Sequence, residues 1–166
     1  LMEGEIRGLA AHGSQPHLGV NAIDAGAAIV NAINALHSNP LLGGSIKTTR
    51  FMGGAGSLNA ICDKVSIGFD LRSTSNAEML VLRRKVEDIV VNTAKVYGAE
   101  ADCHIVGTCP AAEADPSLLA LTQEVISAEL GAGGMIPAAN ITVGEDFNFF
   151  KQERPQLKTA SLGIGC

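Results

Sequence analysis

The chain of 166 residues has no tryptophan, one tyrosine and five phenylalanines. Stacking platforms for nucleobases are therefore poorly supplied. Lys and Arg number 12 against 17 Asp and Glu, and the cations are scattered rather than gathered in a stripe. That excludes the electrostatic footprint of a nucleic-acid-binding protein. No apolar run approaches the roughly 18 residues of a membrane span, and no secretory leader opens the sequence as given. None of the four cysteines, Cys62, Cys103, Cys109 and Cys166, forms a CxxC pair. Cys103, His104 and Cys109 could be imagined as metal ligands, but their spacing matches no zinc framework. Small core thiols in a reducing compartment are the better reading, and with them a cytoplasmic location. What is present is a hydrophobic content of 46%. That is enough for one ordinary domain, or for a small domain with a piece of another.

Periodicity organises the first hundred residues. A strand is expected over Glu5 to Ala11, followed by a helix from Val20 to His37 with an apolar stripe of Val20, Ile23, Ala27, Val30 and Ile33. Asn39-Pro40 and Gly43-Gly44 close that helix. A second strand covers Ile46 to Met52 and is broken by Gly53-Gly54-Ala55-Gly56. A third covers Lys64 to Arg72, with Val65, Ile67, Phe69 and Leu71 on one face. Ser75 and Glu78 form a capping-box pattern that opens a helix to Tyr97, stopped by Gly98, with Met79, Leu82, Val86, Ile89, Thr93 and Val96 as its stripe. A fourth strand spans Ala101 to Thr108. The order β-α-β-β-α-β predicts an α+β, ferredoxin-like unit: a four-stranded antiparallel sheet with both helices on one face. The second strand then lies at an edge, open to pairing with another copy.

After Pro110 the character changes. Asp115-Pro116 is a capped helix start, and the helix runs to Leu130 before Gly131 to Gly134. Leu157 to Ile164 reads as a buried strand of an α/β layer. The sheet is complete by then, so the expected division is residues 1–112 and residues 113–166, the latter an incomplete α/β segment because the chain stops at Cys166.

Three polar residues stand out: His12, Asn59 and Arg72. His12 follows an apolar run and precedes a turn (Gly13, Ser14, Gln15, Pro16), with His17 just beyond it. Asn59 lies in a glycine-rich bend, and Arg72 ends an amphipathic strand thirteen residues later. A hairpin-like arrangement would let both reach the end of the sheet that carries His12. A guanidinium can hold a carboxylate by two parallel hydrogen bonds, an amide can hold a carbonyl, and an imidazole can donate to an oxyanion. The competing reading makes His12 a surface or capping residue, Asn59 a turn residue and Arg72 a solvated strand end.

AHGSQPHLGVNAI at 11–23, GGAGSLNAICDKVSIGFDLRS at 53–73 and GEDFNFF at 144–150 occur in an order that resembles the M20 metallopeptidases and amidohydrolases, in the branch of aminoacylase-like, hippurate-hydrolase-like and auxin-conjugate amidohydrolases. The resemblance implies a lid, or dimerisation, domain at 1–112 followed by part of the catalytic domain. It implies that His12 reaches the partner subunit's active site and steadies the tetrahedral oxyanion, that Asn59 touches the substrate, and that Arg72 grips its carboxylate. Gly144 corresponds to a substrate-side loop, with Glu145 and Asp146 beside it in roles left open. The implied whole enzyme cleaves the amide of an N-acyl amino acid or small peptide with a divalent metal pair (Zn, Mn or Co), and it dimerises through the edge strand 46–52 and its neighbouring helix. The chain departs from the pattern at Cys62, where proline is common, and at Asn21, where the branch often has aspartate. It also lacks the metal-ligand pairs, so as a fragment it is expected to bind no metal and to be inactive alone. The alternative is a non-catalytic ferredoxin-like module that binds a small ligand or only dimerises.

Overall fold

The computed structural model describes residues 1–39, 43–54, 56–131, 133–136 and 145–164. Pro40, Ala55, Gly144 and Cys166, each singled out above, lie outside the described residues. The chain divides into two compact units, one of Leu1–Ser73 with Ala77–Thr108, the other of Thr74–Asn76 with Cys109–Cys166.

In the first unit the elements run β1 (Met2–Arg7), α1 (Ala22–Asn34), β2 (Gly44–Gly53), β3 (Lys64–Ser73), α2 (Asn76–Val96) and β4 (Glu100–Ile105). The strands form one sheet in the order β2-β3-β1-β4, every neighbouring pair antiparallel. This is the expected split β-α-β arrangement, and β2 is an edge. Strand alternation builds the core. Met2 and Ile6 of β1 and Val65, Ile67, Phe69 and Leu71 of β3 are buried together with Ala25, Ile29 and Ile33 of α1 and Leu82, Val86, Val90 and Ala94 of α2. Each large aliphatic or aromatic side chain so buried stabilises by roughly 1.5–3 kcal/mol.

The helical stripes differ from the expected ones. In α2 the buried positions recur every four residues from Leu82 to Ala94, so Thr93 drops out of the stripe and Val96 is 82% exposed. In α1, Ala25 and Gly26 face the sheet while Ile23 is partly exposed. Gly26 is there because a Cβ would stand 2.7 Å from the Phe51 ring of β2. Helix α1 also starts later than expected. Val20 is engaged in a bridge with Leu9, and the Asn21 side chain caps the helix by accepting from the Ile23 N–H. Asparagine caps as well as the aspartate usual there.

The first strand is the largest revision. It ends at Arg7, not Ala11. Gly8 donates its N–H to the Asp63 carbonyl, and Leu9 exchanges two backbone bonds with Val20, so the chain leaves the sheet as an arm. A Cβ on Gly8 would lie 2.0 Å from the Val20 carbonyl oxygen. Only glycine lets the arm fold back this closely.

In the second unit, α3 (Pro116–Leu130) is capped as expected: Asp115 accepts from the Ser117 and Leu118 N–H groups. Together with the backbone bonds, the Ser117 hydroxyl and the nearby Lys158 hold the Asp115 carboxyl below its usual range, Ser117 foremost. A short 3-10 turn (Asp146–Asn148) leads into α4 (Phe149–Glu153). The strand expected over Leu157 to Ile164 is not formed. Those residues have no sheet partner among the described residues, and the ladder reduces to one bond, from the Asp115 N–H to the Thr159 carbonyl. Among the described residues every buried one lies between Met2 and Ala99. The second unit therefore has no buried core of its own there.

Candidate functional site

The site is built by the arm. Residues 11–13 run antiparallel to residues 59–61: His12 bridges Ala60, the Gly13 N–H donates to the Asn59 carbonyl at 2.7 Å, and the Ile61 N–H donates to the Ala11 carbonyl at 2.8 Å. His12 and Asn59 thus occupy adjacent positions on paired backbone, and both are exposed. The Asn59 loop is tied at its base by Cys62, whose buried sulfur accepts from the Gly54 N–H and donates to the Lys64 carbonyl. A thiol here can make both bonds, which accounts locally for cysteine where proline is common.

The arm also carries Ser14, which the sequence reading passed over. Its backbone N–H donates to His12 Nδ1 at 3.2 Å, and its Oγ lies 2.7 Å from the same nitrogen. On the facing loop, the Ser57 hydroxyl donates to Asn59 Oδ1. The signal available in sequence was only a serine two residues from each candidate, a spacing at which hydroxyls commonly bond locally. His17 sits exposed in the 3-10 turn Pro16–Leu18 that closes the arm.

Arg72 is not with them. Arg7 pairs with Lys64, so His12 and Asn59 stand beyond the end of the sheet where β1 stops and β3 starts. Arg72 is eight residues further along β3, which at strand rise is roughly 26 Å away. It belongs to the opposite end, where Gly44 pairs with Ser73 and Ser45 with Arg72. The expected convergence of all three on one end of one sheet is therefore wrong. Asn59 precedes β3 and is held back by the arm, while the strand carries Arg72 away. Arg72 makes a two-pronged pair with Asp70, Nε to Oδ1 at 2.7 Å and Nη2 to Oδ2 at 2.9 Å, which raises its pKa further.

The sheet face away from the helices is charged but matched. Arg50 pairs with Glu3, Arg7 with Asp102, and Lys64 with Glu5. Lys64 chiefly, and Arg7 less, keep the Glu5 carboxyl below its usual range. The open hollow lined by Glu3, Glu5, Arg7, Arg50 and Asp102, about 250 Å³, holds charges paired with one another at the surface, with Arg50 Nε left buried without a hydrogen-bond partner among the described residues. Cys103 and His104 alternate on β4, and alternation sends them to opposite faces, so the two cannot share a metal. Burial pushes the Cys103 thiol up to about 11. Among the described residues no three His, Cys, Asp or Glu side chains converge to hold a metal ion, and no helix is long and apolar enough to cross a membrane.

Residues 2–98 match the peptidase dimerisation domain family. The chain is similar to the uncharacterized hydrolase y4tI of Sinorhizobium fredii, 29% identical over 154 residues that cover 92% of this chain and 38% of the relative. It is also similar to the IAA-amino acid hydrolase ILR1-like 4 of Arabidopsis thaliana, 25% identical, covering 91% of this chain and 36% of that protein. Among solved structures, the aminopeptidase PepT of Bacillus cereus superposes with a TM-score of 0.74 at 26% identity, over 92% of this chain and 40% of that one. The aminobenzoyl-glutamate utilization protein of Klebsiella pneumoniae shares the fold, with a TM-score of 0.74 at 19% identity, over 91% of this chain and 39% of its own. The chain thus spans about four-tenths of the length of these relatives.

Proposed function

We propose, from the premise that this chain belongs to the M20 peptidase dimerisation domain family, that it is the lid and substrate-contacting part of a longer amidohydrolase that cleaves N-acyl amino acids or small peptides. The lid is residues 1–112, and residues 113–166 belong to the catalytic domain. The observation that supports the reading is the family match over residues 2–98, with His12 and Asn59 held on paired backbone. The opposite-end placement of Arg72 speaks for the non-catalytic alternative unless two copies share the site. One copy cannot bring His12 and Asn59 to Arg72, but two copies can. Strand β2 is an open edge whose Gly44 end lies beside Arg72 and whose Gly53 end pairs with Val65 at the other extreme. Antiparallel pairing of two β2 strands about a twofold axis sets the Arg72 end of one sheet beside the His12 end of the other.

In this dimer Arg72 of one copy grips the substrate carboxylate. His12 and Asn59 of the other donate to the scissile carbonyl, and their hydrogen bonds strengthen as its oxygen gains charge. The absence of buried residues from the described part of the second unit fits a segment completed by further polypeptide. A divalent metal pair, as the family resemblance implies, would be held by that polypeptide; among the described residues here no three potential ligands converge. A reducing, cytoplasmic setting suits the free Cys62, Cys103 and Cys109.

The test is hydrolysis by the full-length protein of a panel of N-acyl amino acids and dipeptides. We expect release of the free amino acid, loss of activity on chelation, and its return with Zn, Mn or Co. Failure to cleave any of the panel after metal is restored would overturn the reading in favour of a non-catalytic module.

A further inference from the structure

Each of the two exposed site residues has a serine two positions away, and each serine acts on the acceptor atom of its neighbour. For His12 the geometry decides the tautomer. Nδ1 receives the Ser14 backbone N–H at 3.2 Å, so it carries no proton in the neutral ring. The Ser14 hydroxyl, 2.7 Å from that nitrogen, must then donate to it as well. The ring proton is left on Nε2, which has no protein partner among the described residues. For Asn59, the Ser57 hydroxyl occupies Oδ1. Oδ1 keeps a second lone pair, and the Nδ2 amide hydrogens again have no protein partner among the described residues. Both side chains could in principle accept as readily as donate. With Nδ1 taken, the neutral His12 ring offers only a donor, while the Ser57 bond holds Asn59 by its carbonyl and leaves its amide hydrogens unpaired.

We propose that Ser14 and Ser57 are positioning residues that present His12 Nε2–H and the Asn59 amide hydrogens as hydrogen-bond donors to an oxygen that carries or gains negative charge. The inference rests on the amidohydrolase reading and deepens it. It assigns His12 to the carbonyl oxygen of the substrate, not to its amide N–H, which would need an acceptor. It also predicts a preference for a tetrahedral, anionic form over the planar substrate, since donors to an anion are about twice as strong as donors to a neutral oxygen.

Two measurements test this. The first is nitrogen NMR of the His12 ring in this chain at neutral pH. Protonated Nε2 is expected, and Ser14→Ala should shift the Nδ1 resonance by loss of the hydroxyl bond while the remaining backbone N–H keeps the tautomer. The second is kinetics of Ser14→Ala and Ser57→Ala in the full-length enzyme, with a phosphinate mimic of the tetrahedral state as inhibitor. Each substitution should lower kcat about tenfold with KM little changed, and weaken the phosphinate by the same factor. Ser14→Thr should restore most of the loss. Unchanged kcat and phosphinate affinity in both alanine variants, or Nδ1–H already dominant in the unsubstituted chain, would overturn the proposal. If His12→Ala remains severely impaired at the same time, only the serine assignment falls. If His12→Ala is also fully active, the underlying reading falls with it.

Discussion

His12→Ala in the full-length enzyme is expected to lower kcat by roughly a hundredfold to a thousandfold, the usual effect of removing one oxyanion donor, while KM moves little. The split follows from where the bond matters. On the proposed reading Nε2–H meets a carbonyl oxygen that is neutral in the bound substrate and anionic only once the carbon is tetrahedral, so most of its contribution would appear in the transition state. Steady-state kinetics on N-acyl amino acids measure both parameters. A variant with wild-type kcat would remove His12 from the chemistry. A variant with unchanged kcat and a greatly raised KM would make it a ground-state binding residue instead.

The second large effect is structural and acts through the arm. Gly8→Ala is expected to destabilise the first unit by about 3 kcal/mol, near the top of the range for forcing an atom into packed space. The new Cβ would fall 2.0 Å from the Val20 carbonyl oxygen and 3.0 Å from its carbon, backbone atoms that cannot turn aside like a flexible side chain. Relief requires the Leu9–Val20 bridge to open, and that bridge starts the arm that holds His12 against the Asn59 loop. Thermal unfolding of this chain should shift down by roughly 12–24 °C, and the full-length variant should lose activity in step with His12→Ala. A change in Tm within about 3 °C would show that the arm has room the geometry denies.

Gly8 also marks where sequence reading runs out. The run from Ile6 to Ala11 is apolar enough for a strand, and nothing local says that it stops at Arg7. The stop is tertiary: Asp63 takes the Gly8 N–H, and Val20 takes Leu9. By contrast β3 was legible nearly to the residue, because Val65, Ile67, Phe69 and Leu71 alternate against a polar face. The sheet order followed from the succession of elements. The stripes of α1 and α2 were partly misplaced because apolar residues occur on more than one side of each helix, and the choice of Gly26 over Ala27 depends on the Phe51 ring of another element. The three site residues could be picked out in sequence, but their arrangement could not. Thirteen residues between Asn59 and Arg72 suggest nearness, yet Asn59 pairs backward with the arm while Arg72 rides outward on an extended strand. The serines carry no signal in sequence because serine beside a turn is ordinary, and only the folded arm brings the Ser14 hydroxyl to Nδ1.

Subunit complementation tests the two-copy site most directly. Full-length His12→Ala and Arg72→Ala proteins, each impaired, are dissociated, mixed and reassembled. If one copy lends His12 to a substrate held by Arg72 of the other, half of the dimers are mixed and each has one intact site, so activity should recover to about a quarter of wild type. No recovery above the separate variants, with mixed dimers shown to form, would mean that both residues must come from the same copy, which the opposite ends of a single sheet do not allow.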